Sequence, residues 1–326
     1  MKVNSKTVEM NLIRNSTMYK GCIHADGMCD GITSKAHSIQ NNRYLKRIAD
    51  NGEVLCIDFG KIGEGESNIK RVGRNKASIF TGFCNYHDRS IFRPIEEREY
   101  LLNDVEQNFL FSYRAFALAY YERFSTYEFK KKHYSLIAGL RNDENIRRFK
   151  REIDEYGNHL IIIEQYRNML NYCLDNKKFK RIYTKVLVWD AEYGIAVTSM
   201  FFIHRDTCGN IVNNPQNGFG SMAPFFFTLI PQNGKTYVLM GCLSKQKSIY
   251  EFLYKQIISA DVEDQKVYVS NIIAMYIENF FISPHWWERL DMTTRNQFEE
   301  INEKLAGGQK PPIGFFDKLN IFKESV

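Results

Sequence analysis

The stretch GFCNYHDRSIF, residues 82–92, places a thiol, an imidazole and a carboxylate within five residues of one another. Two residues separate Cys84 from His87, which is the spacing of a zinc knuckle, and Asp88 follows immediately. The segment therefore has the features of a metal site that opens a helix. The same residues also fit a cysteine and a histidine in the core beside an acid on the surface. The residues that precede the segment help to decide between a metal site and this alternative.

A second pair of soft donors, Cys22 and Cys29, lies upstream of this segment. Six residues separate the two cysteines, more than the two to four of a knuckle, and Gly27 lets the loop between them fold back. His24 is an alternative ligand in the same loop, and ordinary buried thiols are the alternative to a metal site. We predict a structural Zn²⁺ with these ligands: Cys22, Cys29, Cys84 and His87.

Composition places the chain among soluble globular proteins. Of 326 residues, 44% are hydrophobic and 25% are charged, which is enough apolar material for a sizeable core. No run approaches the roughly 20 apolar residues of a membrane span, and the first residues lack a secretory pattern. We expect a cytoplasmic protein without a membrane partner, in which clustered cysteines are ligands and the scattered Cys173, Cys208 and Cys242 are small core residues.

The positive charge of the chain is concentrated near the Cys/His segments. Residues 1–94 carry 15 Lys and Arg against 9 Asp and Glu, whereas the remainder carries 29 of each kind. A basic, metal-containing segment suggests a polyanionic partner, and we predict nucleic acid. Six basic residues around the motifs are the candidates for contacts with a phosphate backbone: Arg43, Lys46, Arg47, Arg71, Arg74 and Lys76.

The patterning predicts an α+β fold with a small zinc-stapled module over residues 1–94 and a larger domain over 95–326. The larger domain begins with helices, including a long amphipathic one, and continues with an antiparallel sheet at about 181–243. The segment QNGK, residues 232–235, predicts a tight hairpin within this sheet. Helices follow, including one over VSNIIAMYIENFFIS at 269–283 and one that anchors Trp286 and Trp287 in the core.

Taken together, the segments C…C…AHSIQ…FTGFCNYHDRSIF resemble the HNH, or ββα-metal, endonuclease family, whose zinc-containing members form a treble clef. The resemblance covers about seventy residues. It implies that His37 is the general base that activates water, and that His87 and Asp88 occupy positions of zinc or catalytic-metal ligands. It also implies hydrolysis of nucleic-acid phosphodiesters with a divalent cation, Mg²⁺ or Mn²⁺.

Three departures from the family pattern weaken this implication. Ala36 stands where the family usually has a metal-binding Asp or His before the general base. The Asn that gives the family name its middle letter has no clear match, and Thr81 is the residue offered there. Asp88 replaces the second His of the segment that opens the helix. A treble clef can also be purely structural. The two functions that we carry forward are a metal-dependent nuclease and a non-catalytic zinc protein that binds nucleic acid or acts as a sensor or scaffold.

The order of segments along the whole chain also resembles bacterial proteins of similar length from mobile or defence loci. That resemblance implies a role in phage defence without implying a mechanism. The larger domain would then supply recognition or regulation, through a protein partner or through homo-oligomer formation.

Overall fold

The computed structural model describes residues 5–58, 67–139, 144–305 and 310–323. The fold is mixed α+β, with 50% of residues in helices and 18% in strands, and it confirms the predicted fold class. The helices are α1 Ser5–Ser16, α2 Lys46–Ile48, α3 Asn85–Glu96, α4 Val105–Ile137, α5 Glu144–Asp175, α6 Val262–Tyr276, α7 Pro284–Arg289 and α8 Met292–Lys304. The strands are β1 Ala36–His37, β2 Glu53–Ile57, β3 Ile69–Gly73, β4 Ile79–Phe80, β5 Ile182–Trp189, β6 Ile195–Phe201, β7 Phe225–Gln232, β8 Lys235–Leu243 and β9 Phe280–Ile282.

The chain divides into two compact units that interleave along the sequence. The first unit contains the described residues up to Ala36, together with Phe80–Ile91 and Ala117–Lys177. The second contains His37–Ile79, Phe92–Phe116 and the described residues from Lys178 onward. Each unit draws residues from both sides of residue 94. The domain boundary that the sequence analysis places at residue 94 remains a prediction.

The helical middle of the chain follows from its apolar periodicity. Helix α4 has apolar residues on most faces, and its residues 107–120 are all buried. Helix α5 has a narrower apolar stripe, because its buried residues recur at the spacings of one helix face. These residues are Ile153, Leu160, Ile163, Leu170 and Cys173.

The second unit is built on an antiparallel sheet with the strand order β3-β2-β9-β6-β7-β8-β5. The predicted hairpin joins β7 to β8, with Gln232 paired to Lys235 and with Asn233 and Gly234 forming the turn. Both turn residues have positive φ, 54° and 75°, as a two-residue hairpin turn requires. The sheet therefore includes the predicted strands of 181–243 and extends beyond them to β2, β3 and β9.

The prediction of a helix over 269–283 is wrong for its C-terminal part. Helix α6 stops at Tyr276, and Phe280–Ile282 forms β9 between β2 and β6. A short apolar run is compatible with a buried strand as well as with a helix. Here the paired backbones of β2 and β6 offer hydrogen bonds on both sides, and this tertiary context decides the outcome.

The remaining aromatic and cysteine predictions have mixed outcomes. Trp286 and Trp287 are buried in α7, as predicted, and the side chain of Ser283 caps this helix. Cys173 and Cys242 are buried core residues, whereas Cys208 is exposed, so its assignment to the core is wrong. Within the described part of the chain, no helix is both long and apolar enough to cross a membrane.

Candidate metal centre

Backbone pairing inside the first unit brings the two cysteine-containing segments together. Ile23 donates its N–H to the carbonyl of Gly82 at 2.8 Å, and Ser34 donates to the carbonyl of Phe83 at 2.8 Å. Thr33 and Cys84 form an antiparallel bridge between these contacts. The loop that carries Cys22 and Cys29 is thus joined at both ends to the segment before α3.

The start of helix α3 positions the other two donors. Cys84 immediately precedes the helix, and its carbonyl accepts a hydrogen bond from the N–H of Asp88 at 2.9 Å. The N–H of His87 points to the sulfur of Cys84 at 3.5 Å, so this thiol lies at the helix N-terminus. The first turn of α3 therefore fixes the positions of both donors.

The four predicted ligands surround one point. Nδ1 of His87 lies 3.3 Å from Sγ of Cys22, 3.5 Å from Sγ of Cys29 and 3.2 Å from Sγ of Cys84. All four donor atoms lie within 4.8 Å of one another. Ideal tetrahedral coordination with usual bond lengths places a sulfur and a nitrogen about 3.6 Å apart, so this set could hold a metal ion with little movement.

Burial influences the ionisation of these groups. It lowers the pKa of His87, against the nearby carboxylate of Asp26, and thereby favours the neutral imidazole that binds metals. Burial is also the main cause that raises the pKa of Cys22 to about 12, and the neighbouring thiols of Cys29 and Cys84 add to it. A bound cation would oppose the rise at Cys22, because an opposite charge nearby favours the thiolate.

A layer of histidine and carboxylate groups lies behind the cluster. Oδ1 of Asp26 is 3.2 Å from Nε2 of His87, although Nε2 has no aligned hydrogen bond within the described residues. Nε2 of His24 is 3.1 Å from Oδ1 of Asp175 and 4.0 Å from Oδ2 of Asp26. His24 is therefore turned toward carboxylates. With Asp26 and His87 it forms a second, smaller group of potential metal donors.

The predicted general base, His37, belongs to the second unit. Its Nδ1 lies 3.0 Å from the carbonyl oxygen of Ala77 and 3.0 Å from Oγ of Ser78. A carbonyl only accepts hydrogen bonds, so Nδ1 donates to it, and in a neutral imidazole the lone pair would then be on Nε2. This tautomer is the one that a general base acting through Nε2 requires.

Asp88 occupies the first turn of α3, where its carboxylate accepts a hydrogen bond from Oγ of Ser34 at 2.8 Å. A carboxylate in this position interacts favourably with the helix dipole whether or not it binds a metal. Its role as a catalytic-metal ligand remains a prediction.

The six basic residues predicted to contact nucleic acid all lie in the second unit, but three already have protein partners. Arg71 makes ion pairs with three acids, including one to Glu288 at 2.8 Å. Arg47 pairs with Glu192 at 3.2 Å, and Arg74 donates to Oδ1 of Asn41 at 2.7 Å. Within the described residues, Arg43, Lys46 and Lys76 form no ion pair. A phosphate would have no ion pair to displace at these three residues.

Sequence reasoning missed the carboxylates of this centre. Asp26 lies between Cys22 and Cys29, and an acid inside a ligand loop was a usable signal, because metal-bound histidines usually contact a carboxylate or a carbonyl. Asp175 is at the end of α5, far from the motif along the chain. No local pattern connects it to His24.

Comparisons with known proteins found no family model, no curated protein and no solved structure that matches this chain. The HNH resemblance therefore depends on the motif residues alone.

Proposed function

We propose that the chain is a zinc-stapled protein that acts on nucleic acid as an HNH-like nuclease. The observation that carries the proposal is the convergence of three thiols on Nδ1 of His87. Three sulfurs and one imidazole nitrogen match the donor preference of Zn²⁺, and a closed set of four protein ligands is typical of a structural zinc site. A treble clef around Cys22, Cys29, Cys84 and His87 is the corresponding local fold.

The catalytic part of the proposal centres on His37. Its Nδ1–H is held by the carbonyl of Ala77, and a neutral imidazole with this orientation would use Nε2 to take a proton from an attacking water. By the family resemblance, Asp88 would bind the catalytic Mg²⁺ or Mn²⁺. When bound, such a cation would stabilise the charge that develops on the phosphate.

The second function is a zinc protein that binds nucleic acid, or acts as a sensor or scaffold, without cutting, and a specific observation favours the sensor or scaffold. Arg47 and Arg71 are paired with Glu192 and Glu288, which reduces the positive charge left for a long phosphate track. The guanidinium of Arg74 keeps its charge but is held by Asn41. The hydrogen bond from Ser34 to Asp88 is likewise compatible with a purely structural carboxylate. A role in phage defence remains a prediction from the sequence.

Nicking of supercoiled plasmid in Mg²⁺ and in Mn²⁺ tests the nuclease. We expect cleavage by the wild type, loss of cleavage in His37→Ala with little change in thermal midpoint, and full cleavage by His285→Ala. His285 is a suitable control because it is an exposed histidine of the same unit. A general base contributes about 10²–10⁴-fold to the rate.

Unchanged cleavage in His37→Ala would contradict the assigned base, and a large fall in its thermal midpoint would make the residue structural. If no variant cleaves, salt-dependent binding to DNA or RNA distinguishes the second function, since neutralised phosphates release counterions.

A further inference from the structure

A pocket of about 430 Å³ lies in the second unit beside the helical segment that runs from Asn41 to Ile48. This volume is within the range of about 300–1,000 Å³ typical of small-molecule sites. The pocket has three cationic residues and one acid among its lining residues, which are Asn42, Arg43, Lys46, Arg47, Glu99 and Gln232.

Two sides of the pocket are held in place by protein contacts. The side-chain amide of Gln232 accepts from the N–H of Tyr100 at 2.8 Å and donates to the carbonyl of Tyr100 at 3.1 Å. The guanidinium of Arg47 bonds to Glu192 at 3.2 Å and to Oδ1 of Asn233 at 3.1 Å. The pocket is therefore largely pre-formed, which reduces the entropy lost on binding a ligand.

The other two cations form no ion pair within the described residues. Nη1 of Arg43 is buried without a hydrogen-bond partner there, and Lys46 is exposed without an ion pair. A buried donor left unpaired is costly to the fold, and an anionic oxygen would remove that cost.

The neighbouring residue Tyr44 adds an independent observation. Its side chain is 1% exposed, and its hydroxyl has no hydrogen-bond partner among the described residues. Burial raises the pKa of this hydroxyl, and the charges that act on it include three residues of the pocket lining, Arg43, Arg47 and Glu99. Tyr44 does not line the pocket, but its chain neighbour Arg43 does, so two unpaired buried polar atoms belong to consecutive residues.

The acid in the lining selects among anions. One oxygen of Glu99, Oε2, accepts a hydrogen bond from Nδ2 of Asn233 at 2.8 Å. A bare phosphate would be repelled by this carboxylate, whereas a ligand that combines a phosphate with hydroxyl or amino donors satisfies both the cations and the acid. A nucleotide has this combination of groups.

We propose that this pocket binds a free nucleotide, with its phosphate on Arg43 and Lys46 and a sugar hydroxyl or base amino group on Glu99. The inference goes beyond the proposed function, because the ligand is a small molecule and neither the zinc site nor His37 takes part. It shares only Arg43, Lys46 and Arg47 with the predicted nucleic-acid contacts.

Isothermal titration calorimetry on the full chain tests the proposal with the four ribonucleoside 5′-monophosphates. Inorganic phosphate, a nucleoside without phosphate and a 5′-phosphorylated oligonucleotide serve as comparison ligands. We expect at least one monophosphate to bind, and Lys46→Gln to weaken it about tenfold or more, the worth of a charge-assisted hydrogen bond. Lys245→Gln is the matched control, since Lys245 is an exposed lysine of the same unit that does not line the pocket.

Equal affinity of Lys46→Gln and Lys245→Gln would overturn the proposal, and so would the absence of binding by all four monophosphates. Binding of inorganic phosphate as tightly as a nucleotide would reduce the pocket to an anion site and overturn the nucleotide assignment. Binding of the oligonucleotide alone would also overturn it, since the pocket would then receive the end of a nucleic-acid strand. Lys46 is exposed, so its substitution does not put folding at risk.

Discussion

The imidazole of His87 has two nitrogens with different neighbours. Nδ1 faces three thiols, and Nε2 lies 3.2 Å from the Asp26 carboxylate. When a metal binds Nδ1, the proton of the ring is on Nε2 and is directed toward Asp26. A carboxylate in this position orients a histidine ligand and increases its basicity.

Substitution of Asp26 is expected to weaken metal binding without removing a ligand. We expect Asp26→Asn to lower zinc affinity about 10–100-fold, measured by competition with a chromogenic chelator. Asp154→Asn, a change of an exposed acid in the same unit that pairs only locally with Lys150, should leave affinity unchanged. Equal affinities of the two variants would show that Asp26 does not position His87.

Asp206 provides a pH-dependent prediction in the second unit. Its side chain is 4% exposed, and its carboxylate accepts hydrogen bonds from the N–H groups of Cys208 and Asn210 and from the side chains of Asn210 and Gln256. Burial by itself would raise the pKa of Asp206, but these hydrogen bonds outweigh it and lower the pKa below its usual value of 3.8. The loop that carries it is thus a polar turn, as its sequence indicates.

Because the folded-state pKa is lowered, the ionised Asp206 stabilises the fold above the ordinary pKa of an aspartate. That contribution is lost as the pH falls through the folded-state value. We expect Asp206→Asn to reduce the free energy of unfolding by about 1.5–3 kcal/mol at pH 7. In urea titrations, this difference from the wild type should shrink below about pH 4. Asp190→Asn, at a carboxylate that is 87% exposed, is the control and should have little effect. A difference in free energy of unfolding that stays constant with pH would show that the ionised carboxylate of Asp206 is not its cause.

At the scale of single elements, the β7–β8 hairpin depends on its two turn residues. Gly234 has a φ of 75°, a region that costs other residues about 1–2 kcal/mol. We expect Gly234→Ala to destabilise the protein by that amount in urea unfolding. Gly73→Ala, at a glycine without positive φ and with no atom within 4 Å of an added Cβ, should leave stability equal or higher. Equal effects of the two substitutions would show that the positive φ of residue 234 does not determine the stability of the hairpin.

Elements whose determinants are local were predictable from the sequence. The Asn233–Gly234 turn, the apolar stripe of α5 and the helix that opens after Cys84 each follow from neighbouring residues. Strand β9 was not predictable in this way, because three apolar residues between two helices satisfy either periodicity. Its conformation is decided by β2 and β6, which come from distant parts of the chain.

At the scale of the whole molecule, the same distinction applies to the metal centre. The four predicted ligands form two pairs in the sequence, Cys22 with Cys29 and Cys84 with His87, and the structure brings them together. The contact of His24 with Asp175 was not visible, because it depends on how the end of α5 reaches the ligand loop. Likewise, the pairing of Arg71 with Glu288 could not be inferred from a count of basic residues.

The distribution of buried apolar residues predicts how the molecule responds to loss of metal. Between residues 21 and 34 only Ile23 and His24 are buried, whereas the sheet of the second unit has its own large core. A structural zinc ion contributes folding energy directly, so the ligand loop should depend on it most.

We expect chelation, or Cys84→Ser, to release zinc and to abolish hydrogen-exchange protection around residues 22–34 and 82–91, while β5–β8 keep theirs. Cys208→Ser, at the exposed thiol, should retain both zinc and protection. Equal loss of protection in the sheet would mean that the zinc site stabilises the whole chain cooperatively, and unchanged protection everywhere would mean that the four side chains hold no structural metal.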